Sequence, residues 1–176
     1  LGDFLEKAEG IFSEISTKLK VVANIPYYIT TPIIEKLFKY REKISSITLM
    51  VQKEVGERIT AQPRTKAYGS LTIFIKFYAE AFLVCQVPAS AFRPQPDVDS
   101  AVIRLELRDQ TPTVNSEKRF FNIVNGAFWG RRKTLRNTLK QSPYTHYTTE
   151  ILEKIVQTTG IDLQRRGETL TLDEYL

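Results

Sequence analysis

The sequence predicts an α/β fold: an open sheet region followed by a small all-α region. Three observations carry this. Short, β-branched runs of strand length (residues 21–23, 46–51, 82–87 and 100–107) are interleaved with stretches of helical spacing (32–40 and 53–59), the pattern of strands joined by helices. Around Asp109-Gln110-Thr111-Pro112-Thr113 the strand pattern stops, and beyond Ser116 only helical spacing recurs. We therefore place a boundary there, with a sheet domain over 1–110 and a helical one over 111–176. The third observation is the turn Asn24-Ile25-Pro26-Tyr27-Tyr28 between the first strand and the first strong helix. It puts polar and aromatic side chains at the carboxyl end of a strand, where open α/β sheets bind ligands.

Taken in order, residues 1–5 read as a strand end entering a loop, and 6–19 as a variable polar segment, part of it helical. Residues 21–23 read as the buried end of a strand. Pro26 cannot extend a central strand, because it lacks an N–H and fixes its own φ. Thr30 or Thr31 can cap the next helix, with Pro32 in the first turn where its missing N–H costs nothing. Ile33, Ile34, Leu37 and Phe38 give that helix one apolar face. Residues 46–51 form a buried strand and 53–59 a helix; 62–69 form a basic, exposed loop. Residues 70–78 (SLTIFIKFY) are ambiguous, with β-branched residues favouring strand and Leu71, Phe74, Ile75 and Tyr78 matching a helical stripe. Two strands follow, 82–87 and 100–107. In the second half, Ser116 can cap a helix carrying Phe120, Phe121, Val124 and Phe128. A further helix over 149–159 turns Ile151, Leu152, Ile155 and Val156 inward and ends at Gly160. Residues 161–176 are polar, with a last short helix near Leu172.

Hydrophobic residues make up 42% and charged residues 26% of the 176 residues, an ordinary globular balance. No apolar run approaches the roughly 20 residues of a membrane span, and no signal peptide opens the chain. Cys85 is the sole cysteine and His146 the sole histidine, which excludes an internal disulfide and argues against a Cys/His metal site. Cys85 is expected in the core and His146 on the surface. A reducing cytoplasm is the simplest compartment. The formal net charge is +5, an excess that suits nucleic acid only where it is clustered. It clusters in Gly130-Arg131-Arg132-Lys133-Thr134-Leu135-Arg136-Asn137-Thr138-Leu139-Lys140, which holds five cations and no acid. If that run is helical, Arg132, Arg136 and Lys140 line one face at i, i+4, i+8, a stripe suited to phosphates. A solvated helix face is the alternative.

The chemistry that would want the Asn24 turn is activation of an exocyclic amine. The nitrogen of adenine's NH2 is a poor nucleophile, because its lone pair is delocalised into the ring. The Asn24 side-chain oxygen and a main-chain carbonyl at Pro26 can accept both amine protons and aim the lone pair at an electrophile. Tyr27 offers a flat face for an extruded base, worth roughly 1–3 kcal/mol. No strong general base is needed, since the nitrogen turns acidic once methylated. A plain turn with a buried tyrosine is the alternative. The linker Phe92-Arg93-Pro94-Gln95-Pro96-Asp97-Val98-Asp99-Ser100 is stiffened by prolines at i, i+2 and holds Phe92 at the base of a rigid arm, either as a second stacking wall or as a cover for the sheet end.

Asn24-Ile25-Pro26-Tyr27 resembles the amine-binding motif of adenine-N6 methyltransferases acting on ribosomal RNA, and F-x-P-x-P-x-V-D-S resembles a second signature of that family. Three further segments are similar to its housekeeping small-subunit branch (KsgA type) rather than its 23S, macrolide-resistance branch. They are Gln52-Lys53-Glu54-Val55 with Lys66-Ala67-Tyr68-Gly69-Ser70-Leu71, Val98-Asp99-Ser100-Ala101-Val102, and Ala127-Phe128-Trp129-Gly130-Arg131-Arg132-Lys133-Thr134-Leu135-Arg136-Asn137. Gly130 stands where that branch usually has Gln, and Thr72 where it has Ser.

The resemblance implies the C-terminal part of a Rossmann-like, S-adenosylmethionine-dependent methyltransferase domain, then a small helical RNA-binding domain, and favours helix for 70–78. The reaction would be dimethylation at N6 of two adjacent adenosines near the 3′ end of small-subunit (16S) rRNA, in ribosome biogenesis. Its partner would be the small-subunit rRNA or the 30S particle, and the enzyme a monomer without metal. Asn24 and the Pro26 carbonyl would orient the amine, and Tyr27 and Phe92 would sandwich the base. Asp3 and Asn24 would touch the cofactor, and Arg131, Arg132, Lys133, Arg136 and Lys140 would hold phosphates. The rival readings are a non-catalytic rRNA-binding assembly factor and a 23S rRNA adenine methyltransferase. The chain opens at Leu1, its one methionine is Met50, and its eight glycines form no G-x-G. The family's glycine-rich cofactor loop is thus expected upstream, and residues 1–176 alone are expected to be inactive and to bind S-adenosylmethionine poorly.

Overall fold

The computed structural model describes residues 4–176, so Asp3 lies outside the described residues. The chain divides into two compact units: residues up to Thr60 with Tyr78–Thr111, and Ala61–Phe77 with Pro112–Leu176. The linear division at 110/111 put residues 61–77 with the sheet, whereas they cluster with the second unit. Contacts made across such a sequence gap leave no local signature.

The first unit contains α1 (Phe4–Ser13), β1 (Leu19–Asn24), α2 (Thr30–Lys39), β2 (Ile44–Gln52), α3 (Lys53–Thr60), β3 (Ala79–Val87) and β4 (Ser100–Leu107). The strands form one mixed sheet in the order β1-β2-β4-β3. β1 runs parallel to β2, with Asn24 opposite Met50, and β4 is antiparallel to both β2 and β3. Ile44, Ile47, Leu49 and Val51 of β2 and Ala101, Ile103 and Leu105 of β4 are buried, as are Ile33, Ile34, Leu37 and Phe38 of α2. The 3.6-residue stripe on α2 thus buries the face the sequence marked, and β4 buries alternate residues. Phe12 of α1 stacks on Tyr40 with ring centroids 4.4 Å apart. Gly56 of α3 lies so close to β4 that a Cβ there would stand 3.0 Å from that of Ala101.

Three expectations are corrected in this unit. β1 is exposed on alternate residues rather than buried, with Val22 79% exposed, because it is an edge strand of the described sheet. Neither Thr30 nor Thr31 caps α2: its N-cap is Ile29, without a side-chain bond. The Thr30 hydroxyl instead donates back to the Tyr27 carbonyl at 3.1 Å, because a 3-10 turn over Tyr27–Ile29 already leads into the helix. Cys85 is exposed, because residues 82–86 of the edge strand β3 are exposed on both faces.

In the second unit the described residues form α4 (Ser70–Tyr78, whose last residue belongs to the first unit), α5 (Glu117–Phe128), α6 (Leu135–Gln141), α7 (Thr149–Thr159) and α8 (Leu172–Tyr175), and no strand. Residues 70–78 are therefore helical. Thr72, Ile73, Ile75 and Phe77 are fully buried, and burial on successive residues explains why no single stripe was legible. Ser116 caps α5 through the Arg119 N–H, and Gly160 ends α7 in the left-handed region at φ 69°. Of the four apolar positions expected inward on α7, Leu152 is buried while Ile151 is 44% exposed.

The polar tail is built into this unit. The Tyr68 hydroxyl donates to the Leu170 carbonyl at 2.7 Å and the Tyr175 hydroxyl to the Gly167 carbonyl at 2.9 Å. Tyr68, expected in an exposed loop, is fully buried, which with the Glu174 charge pushes its hydroxyl up to about 12. Gly167 leaves no room for a side chain, because a Cβ would meet the Ala127 carbonyl oxygen at 2.7 Å. Thr171 and Glu174 form a capping box on α8. Arg165 grips both oxygens of Glu174. That guanidinium, aided by the Thr171 N–H, holds the Glu174 carboxyl down at about 2 from its usual 4.5. A depressed carboxylate contributes stability above its unfolded pKa and loses it as pH falls through the folded one. The contribution is present above pH 4.5 and fades towards pH 2, and solvent screening of this partly exposed pair keeps it small. Thermal melts between pH 2 and 6 should show a shallower acid dependence in Glu174→Gln than in the wild type.

Candidate functional site

Asn24 is the last residue of β1 and is exposed. Its side-chain amide makes no hydrogen bond among the described residues. Ile25 is buried beneath it, which anchors the strand end while the polar group faces solvent. Pro26 is extended (φ −61°, ψ 130°), and its carbonyl accepts the Ile29 N–H at 3.2 Å. One lone pair of that carbonyl is thus spent on the turn and one remains for another donor.

Tyr27 is held at both ends. Its carbonyl accepts the Thr30 N–H and hydroxyl, and its own hydroxyl shares a 2.5 Å hydrogen bond with Ser100 Oγ. The ring is half-buried, whereas the neighbouring Tyr28 is 86% exposed. The two motifs, 73 residues apart in sequence, therefore meet through one bond. Phe92 is half-buried on the β3–β4 connection. Its N–H closes a 3-10 turn onto the Ala89 carbonyl at 3.1 Å. Asp99, one residue before β4, accepts the Ala89 N–H at 3.0 Å and lies 3.9 Å from Lys53. A shallow recess lined by Gln52, Lys53, Glu54, Glu57, Val98 and Asp99 adjoins it. Sequence reasoning passed over Asp99 and Ser100 as roles, although both sit in the second motif; what it lacked was the pairing of Ser100 with Tyr27.

The five cations of the second unit are not equivalent. The run is not one helix: α6 begins at Leu135, and residues 130–134 form a turn closed by the Lys133 N–H on the Gly130 carbonyl. Arg136 and Lys140 remain i, i+4 on α6, but Arg132 precedes the helix, so the three-residue stripe does not exist as expected. Leu135 and Leu139 are buried. Arg131 donates from Nη2 to the Lys66 and Tyr68 carbonyls at 2.7 and 3.0 Å and lies 3.5 Å from Glu168. Lys133 donates to Gln141 Oε1 at 2.8 Å and sits over the Trp129 ring. Lys140 reaches the Thr149 hydroxyl at 3.4 Å. The side chains of Arg132 and Arg136 form no hydrogen bond or ion pair among the described residues.

A mixed sheet of this order, with Asn-Ile-Pro-Tyr at the carboxyl end of a parallel strand, defines a Rossmann-like methyltransferase sheet. It matches the crystal structure of a dimethyladenosine transferase from Plasmodium falciparum with a TM-score of 0.77 at 25% identity, over 92% of this chain and 67% of that one. The fold also matches that of the 23S rRNA methyltransferase ErmE, with a TM-score of 0.62 over 91% of this chain and 63% of that one, at 24% identity. The family model for ribosomal RNA adenine dimethylase matches residues 3–176, and the chain belongs to that family. A ribosomal RNA small subunit methyltransferase A of Geobacillus thermodenitrificans is 49% identical over 166 residues, 93% of this chain and 56% of that protein. One of Clostridium acetobutylicum is 49% identical over 89% of this chain and 56% of its own length. The chain thus spans just over half the length of these curated relatives. No helix among the described residues is long and apolar enough to cross a membrane, and none of their His, Cys, Asp and Glu side chains cluster as metal ligands.

The Arg131 geometry generates a prediction. Charge-assisted bonds to two carbonyls stabilise by about 1–3 kcal/mol, towards the low end for a half-exposed side chain. Arg131→Met should lower stability by that amount in urea titrations, while Arg132→Met and Arg136→Met stay within about 0.5 kcal/mol of the wild type.

Proposed function

We propose that this chain is the carboxyl-terminal part of a small-subunit rRNA adenine-N6,N6-dimethyltransferase that modifies two adjacent adenosines near the 3′ end of 16S rRNA during ribosome biogenesis. The observation that carries the reading is an unpartnered Asn24 amide at a strand end, next to a tyrosine whose backbone and hydroxyl are both fixed. The curated relatives support the small-subunit branch over the 23S alternative. A non-catalytic assembly factor would have no use for Asn24, Pro26, Tyr27 and Phe92 together.

In this reading Asn24 Oδ1 accepts a hydrogen bond from one N–H of the adenine N6 amine, and the remaining lone pair of the Pro26 carbonyl accepts one from the other. Both bonds strengthen as the nitrogen becomes pyramidal and gains positive charge, so they favour the transition state over the ground state. S-adenosylmethionine supplies the electrophilic methyl group when bound. An exposed amide at a strand end suits such a nucleotide-type cofactor, and Asn24 with Asp3 would contact it. Tyr27 and Phe92 stack on the two faces of the base. The amine proton leaves to water after transfer. Monomethyladenosine keeps one N–H, so a second transfer proceeds in the same pocket. The second unit would be a small all-α RNA-binding domain, its phosphate contacts made by Arg132, Lys133, Arg136 and Lys140, with Arg131 shaping the surface. The enzyme would act in the cytoplasm as a monomer on the 30S particle, without metal.

In the full-length protein, Asn24→Ala should lower kcat roughly 10²–10³-fold for labelled methyl transfer to unmethylated small subunits; a wild type that binds the subunit yet transfers nothing would point to the assembly-factor reading. Replacing Arg132 and Arg136 together with Ala should flatten the slope of log affinity for rRNA against log salt by about 1.5, as measured by filter binding across a salt series.

A further inference from the structure

We infer that the adjacent residues Asp99 and Ser100 are positioning residues that set both aromatic walls of the proposed base pocket, an inference that rests on the reading of Tyr27 and Phe92 as those walls. Ser100 is fully buried at the start of β4. It pairs with Gln52 on β2 and with Val87 on β3, so its Cβ direction is set by ladders on both sides. From there Oγ meets the Tyr27 hydroxyl at 2.5 Å. A tyrosine ring turns on two torsions. A bond at the hydroxyl fixes χ1 directly and, because that oxygen lies on the χ2 axis, restrains χ2 only through the in-plane preference of the phenolic O–H. With the Tyr27 carbonyl held by Thr30, the position of the ring that a base would stack on is set before any base arrives, which lowers the ordering cost of stacking.

Asp99 serves the other wall at one remove. Its Oδ1 accepts the Ala89 N–H at 3.0 Å, and the Ala89 carbonyl accepts the Phe92 N–H at 3.1 Å. The Asp99 carbonyl accepts the Lys53 N–H at 2.9 Å, tying the same residue to the start of α3. Two consecutive side chains therefore act in opposite directions from one strand end, Ser100 on the turn after β1 and Asp99 on the turn before Phe92. Tyr28 supplies the internal comparison: it is the same residue type one position on, 86% exposed and without a hydroxyl partner among the described residues.

The test uses the full-length protein with ring-labelled tyrosine. By NMR relaxation, Tyr27 should be ordered and Tyr28 mobile in the wild type, and Ser100→Ala should bring Tyr27 towards Tyr28. In methyl transfer to unmethylated small subunits, Ser100→Ala and Tyr27→Phe should each lower kcat roughly tenfold, with KM for S-adenosylmethionine within about twofold of the wild type. The double variant should be no worse than either single one, because both remove the same bond. Ser100→Thr should recover most of the rate, and Asp99→Asn, which keeps the Oδ1 acceptor, should exceed Asp99→Ala. Unchanged Tyr27 relaxation in Ser100→Ala, or losses that multiply in the double variant, would overturn the inference. A wild type that transfers no methyl group would instead overturn the proposed function, and the relaxation comparison would still decide the role of Ser100.

Discussion

The ladder position of β4, between β2 and β3, is the constraint on which the rest of the first unit depends. Because successive side chains alternate across a sheet, a slip of one residue would send Ala101, Ile103 and Leu105 to the opposite face and Ser100 away from Tyr27. That slip is opposed on both sides by antiparallel hydrogen bonding and by three fully buried apolar side chains. It is opposed again by α3, whose Gly56 fits against Ala101 with no space to spare. The accuracy of the candidate site is therefore inherited from the sheet core, several residues from any group proposed to touch a substrate.

Around that strand, the two ends of the sheet are treated differently. β1 stops at Asn24 because Pro26 has no N–H to continue pairing, and the chain is turned at once into a 3-10 turn and α2. This keeps a polar side chain at the edge without a buried, unpaired backbone. β3, at the other edge, carries a register shift and exposes Phe82, Leu83 and Val84. Rigid turns thus cluster at the carboxyl end of β1 and the amino end of β4, which the topology brings together.

What the sequence made legible was whatever follows a single period or a short motif. α2 and β4 each bury one regular face, as does β2 from Ile47 to Val51, and their residues show it. α4 was ambiguous because its buried residues, Thr72, Ile73, Ile75 and Phe77, do not form one stripe. Cys85 was misjudged because residues 82–86 of β3 are exposed on both faces, although their apolar composition reads as core. The attachment of residues 61–77 to the second unit, the burial of Tyr68 under the Leu170 carbonyl and the Tyr27–Ser100 bond all join segments far apart in the chain. No local pattern carries that information. The motif residues themselves were found from chemistry and resemblance, and the side chains that hold them were not.

The basic run shows the same limit in electrostatic form. Counting cations treats Arg131 to Lys140 as equals, yet a cation's availability depends on what it must give up to bind a phosphate. Arg131 would have to release two backbone carbonyls, leaving them in need of other donors. Lys133 would give up one neutral bond and its place over the Trp129 ring, Lys140 one neutral bond, and Arg132 and Arg136 would exchange only water. The same guanidinium group is therefore scaffold at position 131 and a candidate ligand one residue later. An unbalanced charge run locates a surface, but the hydrogen bonds its members already make determine which of them are free to act on a polyanion.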